Sequence, residues 1–158
     1  MAIKVGGTTV VDDSRNITVQ TATLTNYGSV RALFETGNVA ASAPGANVQI
    51  DVGTNVVQYF TSNAANNFTI NFRANSSSTL NSIMNTGNTV SSAVIVTNGG
   101  TAYYPTVYQV DGSAVTPKWQ GGTAPTGGNA SSTDAYVFTI VKTGSATFTV
   151  LASQTKFA

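Results

Sequence analysis

Cysteine and histidine are both absent from this 158-residue chain. Without them there is no disulfide staple, no thiolate nucleophile, no Ser-His-Asp triad and no ordinary zinc site. Charge is scarce as well: Asp, Glu, Lys and Arg make up 8% of the residues, against roughly 25% in an average globular protein. The seven basic residues are spread singly between Lys4 and Lys156 and form no patch. Duplex nucleic acid and anionic membranes are therefore poor partners. No apolar run approaches the roughly 18 residues that would insert in a membrane. The opening MAIKVGGTTV lacks the apolar stretch of a signal peptide, so synthesis in the cytoplasm is expected. Phosphate-cradling and dinucleotide glycine motifs are missing too.

Apolar residues, by contrast, reach 41% and aromatics 9%. That is enough for a core and too much for a disordered chain. The polar remainder is mostly Thr, Ser, Asn and Gly. These groups hydrogen-bond to water, yet bury against a partner at little electrostatic cost. Period-2 alternation dominates: Val48, Ile50 and Val52; Phe68, Ile70 and Phe72; Tyr136, Phe138 and Ile140; Phe148 and Val150. The last two runs form an expected hairpin across Thr143, Gly144 and Ser145. A second hairpin is expected to join Ala93–Thr97 to Ala102–Val110 across Asn98-Gly99-Gly100, and a third turn falls at Asp111-Gly112. Leu80, Ile83 and Met84 follow helical spacing behind the hydroxyls of Ser76–Ser78, predicting two or three helical turns stopped at Gly87. The first 45 residues read as an N-terminal arm. Short β-like pieces at Ile3–Val5, Thr8–Val11 and Ile17–Val19 precede a linker from Thr36 to Asn47. The expectation is an all-β protein. An antiparallel β-sandwich or jelly-roll-like body over residues 46–158 carries one short helix, with a β-rich arm before it.

The six acids are Asp12, Asp13, Glu35, Asp51, Asp111 and Asp134, and most read as solvated turn residues. A glycosidase needs two carboxylates about 5–9.5 Å apart, and Glu35 with Asp51 is one example of such a pair. Asp12, Asp13 and Asn16 supply oxygens of the kind calcium takes, without EF-hand spacing; Asp/Asn clusters are equally what turns require. The overall expectation is no enzyme, no metal and no cofactor. Four N-x-S/T sequons, at Asn16, Asn67, Asn75 and Asn129, are unremarkable in a chain this rich in Asn, Ser and Thr. The candidate recognition or interface residues are Tyr103, Tyr104, Tyr108 and Trp119. A tryptophan beside tyrosines and amides suits stacking on sugar rings, and equally suits core packing.

Two blocks carry a resemblance. MAIKVGGTTVVDDSRNIT opens the chain. TAYYPTVYQVDGSAVTPKWQGGTAP at Thr101–Pro125 and FTIVKTGSATFTVLASQTKFA at Phe138–Ala158 form the second block. The chain resembles virion structural proteins, fibre-like or capsid-surface, of marine tailed bacteriophages, especially cyanophages. The likeness leaves the linker and Val48–Thr61 unplaced and brings no catalytic motif. It implies a structural component on the virion exterior, as a head decoration or cement protein or a fibre- or tail-associated one, assembled in the host cytoplasm. The implied partners are copies of itself, as a homotrimer or other homo-oligomer, and capsid or tail proteins. The alternative is a module at a fibre tip that binds host surface glycan.

Overall fold

The computed structural model describes residues 3–5, 8–11 and 35–158. Contacts divide the chain into Met1–Leu33 and Phe34–Ala158. In the first unit β1 (Ile3–Val5) pairs antiparallel with β2 (Thr8–Val11), Ile3 opposite Val11 and Val5 opposite Thr8. These are the two pieces expected around Gly6-Gly7. The expected piece at Ile17–Val19 and the Asp12, Asp13 and Asn16 loop lie outside the described residues.

The second unit is an all-β sandwich with one short helix. Its strands are β3 (Gly37–Ala40), β4 (Asn47–Asp51), β5 (Val57–Phe60), β6 (Phe68–Arg73), β7 (Thr89–Thr97) and β8 (Pro105–Val110). There follow β9 (Ser113–Ala114), β10 (Lys118–Trp119), β11 (Thr133–Gly144) and β12 (Thr147–Phe157). One sheet has the order β10-β12-β11-β7-β5-β3 and the other β4-β6-β8-β9. The expected antiparallel body is corrected here: both sheets are mixed. From β3 to β8 each strand crosses to the opposite sheet, so β3, β5 and β7 stack in parallel, as do β4, β6 and β8. This is a solenoid of three turns, and β3 lies inside the stretch expected as linker. Gly37 faces Val57 and Asn47 faces Thr69, whereas Val57 faces Ala93 and Phe68 faces Pro105. The longer second turn accommodates the helix α1 (Leu80–Ile83).

The expected Asn98-Gly99-Gly100 hairpin does not form, because β7 and β8 belong to different sheets. The Asn98 side chain accepts from Tyr103 N–H and donates to Asp134. Those bonds turn the segment into a corner between sheets. The Asp111-Gly112 turn does join two antiparallel strands, β8 and β9, with φ of 52° and 79°. The long β11–β12 hairpin is also present, with its turn at Ser145-Ala146. The helix is a single turn, not two or three. Thr79, not Ser76–Ser78, caps it by accepting from Ser82 N–H.

The sandwich interior is filled by the inward phase of each strand: Val48 and Ile50, Phe68, Ile70 and Phe72, Val94 and Val96, and Tyr136, Phe138 and Ile140. On the second sheet the other phase carries Gln49, Asn71 and Gln109 in register. Asn71 Nδ2 donates to Gln49 Oε1 at 2.7 Å. That bond ties β4 to β6 without charge, and Asn71 Oδ1 accepts from Gly112 N–H at 2.9 Å in the turn after β8.

Candidate binding site

A short strand and a glycine turn bring Trp119 to the surface. β10 runs parallel to β12 and sets Trp119 against Ala152, with Pro117 buried just before it. A 3₁₀ turn over Gln120–Gly122 follows, with φ of 76° at Gly121 and 80° at Gly122. Glycine adopts this left-handed region without steric cost, and the turn swings the chain off the sheet directly after the indole.

One side of that indole belongs to the core. Its ring meets Tyr108 edge-on at 5.5 Å and Phe138 at 6.3 Å. Phe138 in turn packs on Tyr108 at 5.8 Å and on Phe72 at 4.9 Å. Edge-to-face pairs of this kind add to plain burial. The four rings form a continuous column from the sandwich interior to a half-exposed tryptophan. Tyr108 is itself buried, and its hydroxyl donates to Pro105 O at 2.6 Å. Burial is the main reason its phenol is pushed well above the usual tyrosine range.

Three open hollows adjoin Trp119. One of about 390 Å³ lies over the outer sheet face with Val137, Thr139 and Leu151. A second, of about 410 Å³, is lined by Thr116, Pro117, Lys118, Gly122 and Ala124. The third, about 380 Å³, is bounded by Trp119, Gln120, Thr123, Pro125 and Gln154. Gln154 Nε2 donates to Gly127 O and to Tyr136 Oη, each at 3.1 Å.

The four aromatic candidates thus separate. Tyr108 and Trp119 stand together, while Tyr103 and Tyr104 lie in the corner before β8, both half-buried against the core. Their backbone N–H groups donate to Asn98 Oδ1 and Asn67 Oδ1. The sequence pointed to amides beside the tryptophan, of which Gln120 is one, but not to Thr123 or Gln154. For Gln154 a signal existed: it continues the inward phase of Val150 and Ala152, where an amide is out of place.

The carboxylates do not gather. Asp51 pairs with Arg73 across β4 and β6. Asp111 accepts from Leu80 N–H and Asn81 N–H at 2.7 and 2.8 Å. Asp134 stands second in β11 and is fully buried, where the acids as a group were expected to be solvated. Its Oδ2 accepts from Asn98 Nδ2 and Asn129 N–H, whereas Oδ1 and the nearby Ser132 Oγ are buried without partners. Burial pushes the Asp134 carboxyl up, only partly opposed by the Asn129 N–H, the charge of Lys156 and the Asn98 and Gln154 amides. Among the described residues no three His, Cys, Asp or Glu side chains converge as metal ligands, and no helix is long and apolar enough to cross a membrane. Compared with known proteins, the chain matches no family model, no curated protein and no solved structure.

Proposed function

We propose that this chain is a non-enzymatic structural subunit on the exterior of a tailed-bacteriophage virion, either decorating the head or associated with fibre or tail. It acts by protein–protein assembly, with copies of itself and with capsid or tail proteins. The observation that carries the assembly reading is how the few charges are used. Residues 35–158 contain eight charged side chains. Asp51 and Arg73 neutralise each other, Asp111 holds α1, and Asp134 and Lys142 are buried. Only Glu35, Lys118 and Lys156 stand exposed. Meanwhile Val39, Ile83, Val107, Val137, Leu151 and Phe157 are all exposed. A surface with so little charge gives weak protection against association, which suits a subunit that is covered in use. The virion assignment draws on the resemblance of the two sequence blocks.

Sedimentation velocity on the purified chain is expected to reveal a species heavier than the 16.2 kDa monomer. Mass spectrometry of purified phage particles from cells carrying the gene is expected to find the chain in them. A persistent monomer that is also absent from particles would end the proposal.

A further inference from the structure

We infer that the outer face of the six-stranded sheet is where a second copy of this chain packs, face to face about a two-fold axis. The inference rests on the self-assembly proposed above and names the surface that carries it. Among the described residues six large apolar side chains are exposed. Four of them, Val39, Val137, Leu151 and Phe157, point outward from this one sheet, since the alternate residues Ala40, Phe138 and Ala152 point into the core. Strand register sets them among half-buried Val57, Tyr59, Ile95 and Val141. The outer face of the other sheet carries Gln49, Asn71, Gln109 and the Asp51–Arg73 pair, and Val107 is its one exposed large apolar residue. The sandwich thus presents one apolar face and one amide-rich face.

Two observations select a second copy as the occupant. The first is charge. Lys118 on β10 is the only charged residue among the outward positions of the six strands. It lies in one row with Leu151, Thr139 and Ser91. Glu35, two residues before β3, falls at the opposite end of that row. There Thr36 O accepts from Val56 N–H and continues the β3–β5 pairing. Both charges are exposed. A two-fold axis lying in the interface along the strands turns one sheet over onto the other, β10 above β3. Lys118 of each copy then lies over Glu35 of the other, so the face is its own complement. The second observation is area. Strands about 4.8 Å apart, rising about 3.3 Å per residue, give this face a plane of about 500 Å², or about 1,000 Å² for two copies. That reaches the size a specific interface needs, about 1,000 Å², before side-chain relief is added. Sheets pack face to face in this manner about 10 Å apart, with strands within about 30° of each other.

Sedimentation equilibrium of the full chain, at about 0.05 M salt to limit screening, is expected to show a monomer–dimer exchange. Val137→Lys and Leu151→Lys each put an ammonium group within the face, and each should weaken the dimer about a hundredfold. Val107→Lys is the matched control: Val107 is 43% exposed, against 42% for Val137 and 45% for Leu151, but stands on the other sheet. It should shift the dissociation constant by less than about twofold. Glu35→Lys and Lys118→Glu should each weaken the dimer about fivefold, because exposed ion pairs are modest, and the two together should restore it. Melting temperatures establish that each variant is folded. A wild-type chain that stays monomeric at about 0.1 mM overturns the inference. So does self-association indifferent to both Val137→Lys and Leu151→Lys, or equally weakened by Val107→Lys; self-assembly then stands, and this face is not its surface. A double charge reversal that fails to recover the dimer overturns the two-fold arrangement.

Discussion

The inward phase of β11 reads Asp134, Tyr136, Phe138, Ile140 and Lys142: three apolar side chains with a charge at each end, and all five buried. Each charge fixes a polar junction at its end of the sandwich. Asp134 gathers Asn98 and Asn129, and its pKa is raised chiefly by burial. A carboxyl whose folded pKa lies above its unfolded value, about 3.9, binds its proton more tightly in the folded state. Its contribution to stability is complete below the unfolded value and is lost as pH rises through the folded one. Replacing Asp134 with Asn removes that dependence. Melting temperatures of the two proteins, measured from about pH 4 to pH 8, should show the wild-type advantage over Asp134→Asn shrinking as pH rises; an advantage that grows would mean the pKa is depressed. The two phenylalanines of the hairpin separate in the same way. Phe138 is fully buried at the centre of the ring column, so Phe138→Ala should cost about 3–5 kcal/mol in urea denaturation. Phe148 only packs against the edge of the core, so Phe148→Ala should cost clearly less, and equal losses would contradict the packing described.

At the scale of elements, α1 is a single turn, too short to be stable by itself, and it is held from both sheets. Asp111, in the β8–β9 turn, accepts from its first two N–H groups. Lys142, on β11, donates through Nζ to Asn81 O and Met84 O at 2.6 and 2.8 Å. A cation among carbonyls that end a helix is favourably placed. Lys142→Met leaves those carbonyls without their donor and should cost about 1–3 kcal/mol. Amide exchange at Ser82 and Met84 should speed up more than at Tyr136; uniform acceleration would show that the clamp is not local. The sequence made strand phase legible, since alternation at Phe68–Phe72 and Tyr136–Ile140 follows from having one wet and one dry face. It also revealed the Asp111-Gly112 turn, because few residues accept positive φ. It did not show which sheet each strand joins. Asn98-Gly99-Gly100 looks like a hairpin locally, and becomes a corner only because Asn98 meets Asp134, a partner far along the chain. The Trp119 hollow was half legible for the same reason. Gln120 is adjacent in sequence, whereas Gln154 arrives through the parallel pairing of β10 with β12.

For the whole molecule, the solenoid leaves two strand edges on one turn. β3 is the last strand of its sheet and β4 the last of the other, and among the described residues neither has an outer partner. Edges left open in this way usually carry Lys or Glu that deter pairing. Here β3 reads GNVA, with Val39 70% exposed, and the only charge on β4, Asp51, is already neutralised by Arg73. Association through such surfaces relies on backbone hydrogen bonds and apolar burial, which salt screens little. The association constant from sedimentation should therefore change little as sodium chloride rises from about 0.05 to 0.5 M, although that range shortens the Debye length about threefold. A charge placed on the edge should act where salt does not. Val39→Lys puts an ammonium group on a strand that would have to lie beside its own copy or another chain, and burying it unpaired is costly. That variant should shift the sedimentation profile toward monomer while its melting temperature stays near wild type, because position 39 is exposed. If Val39→Lys assembles like wild type and added salt dissociates both, then Glu35, Lys118 and Lys156 hold the subunits together, and the open strand edges do not.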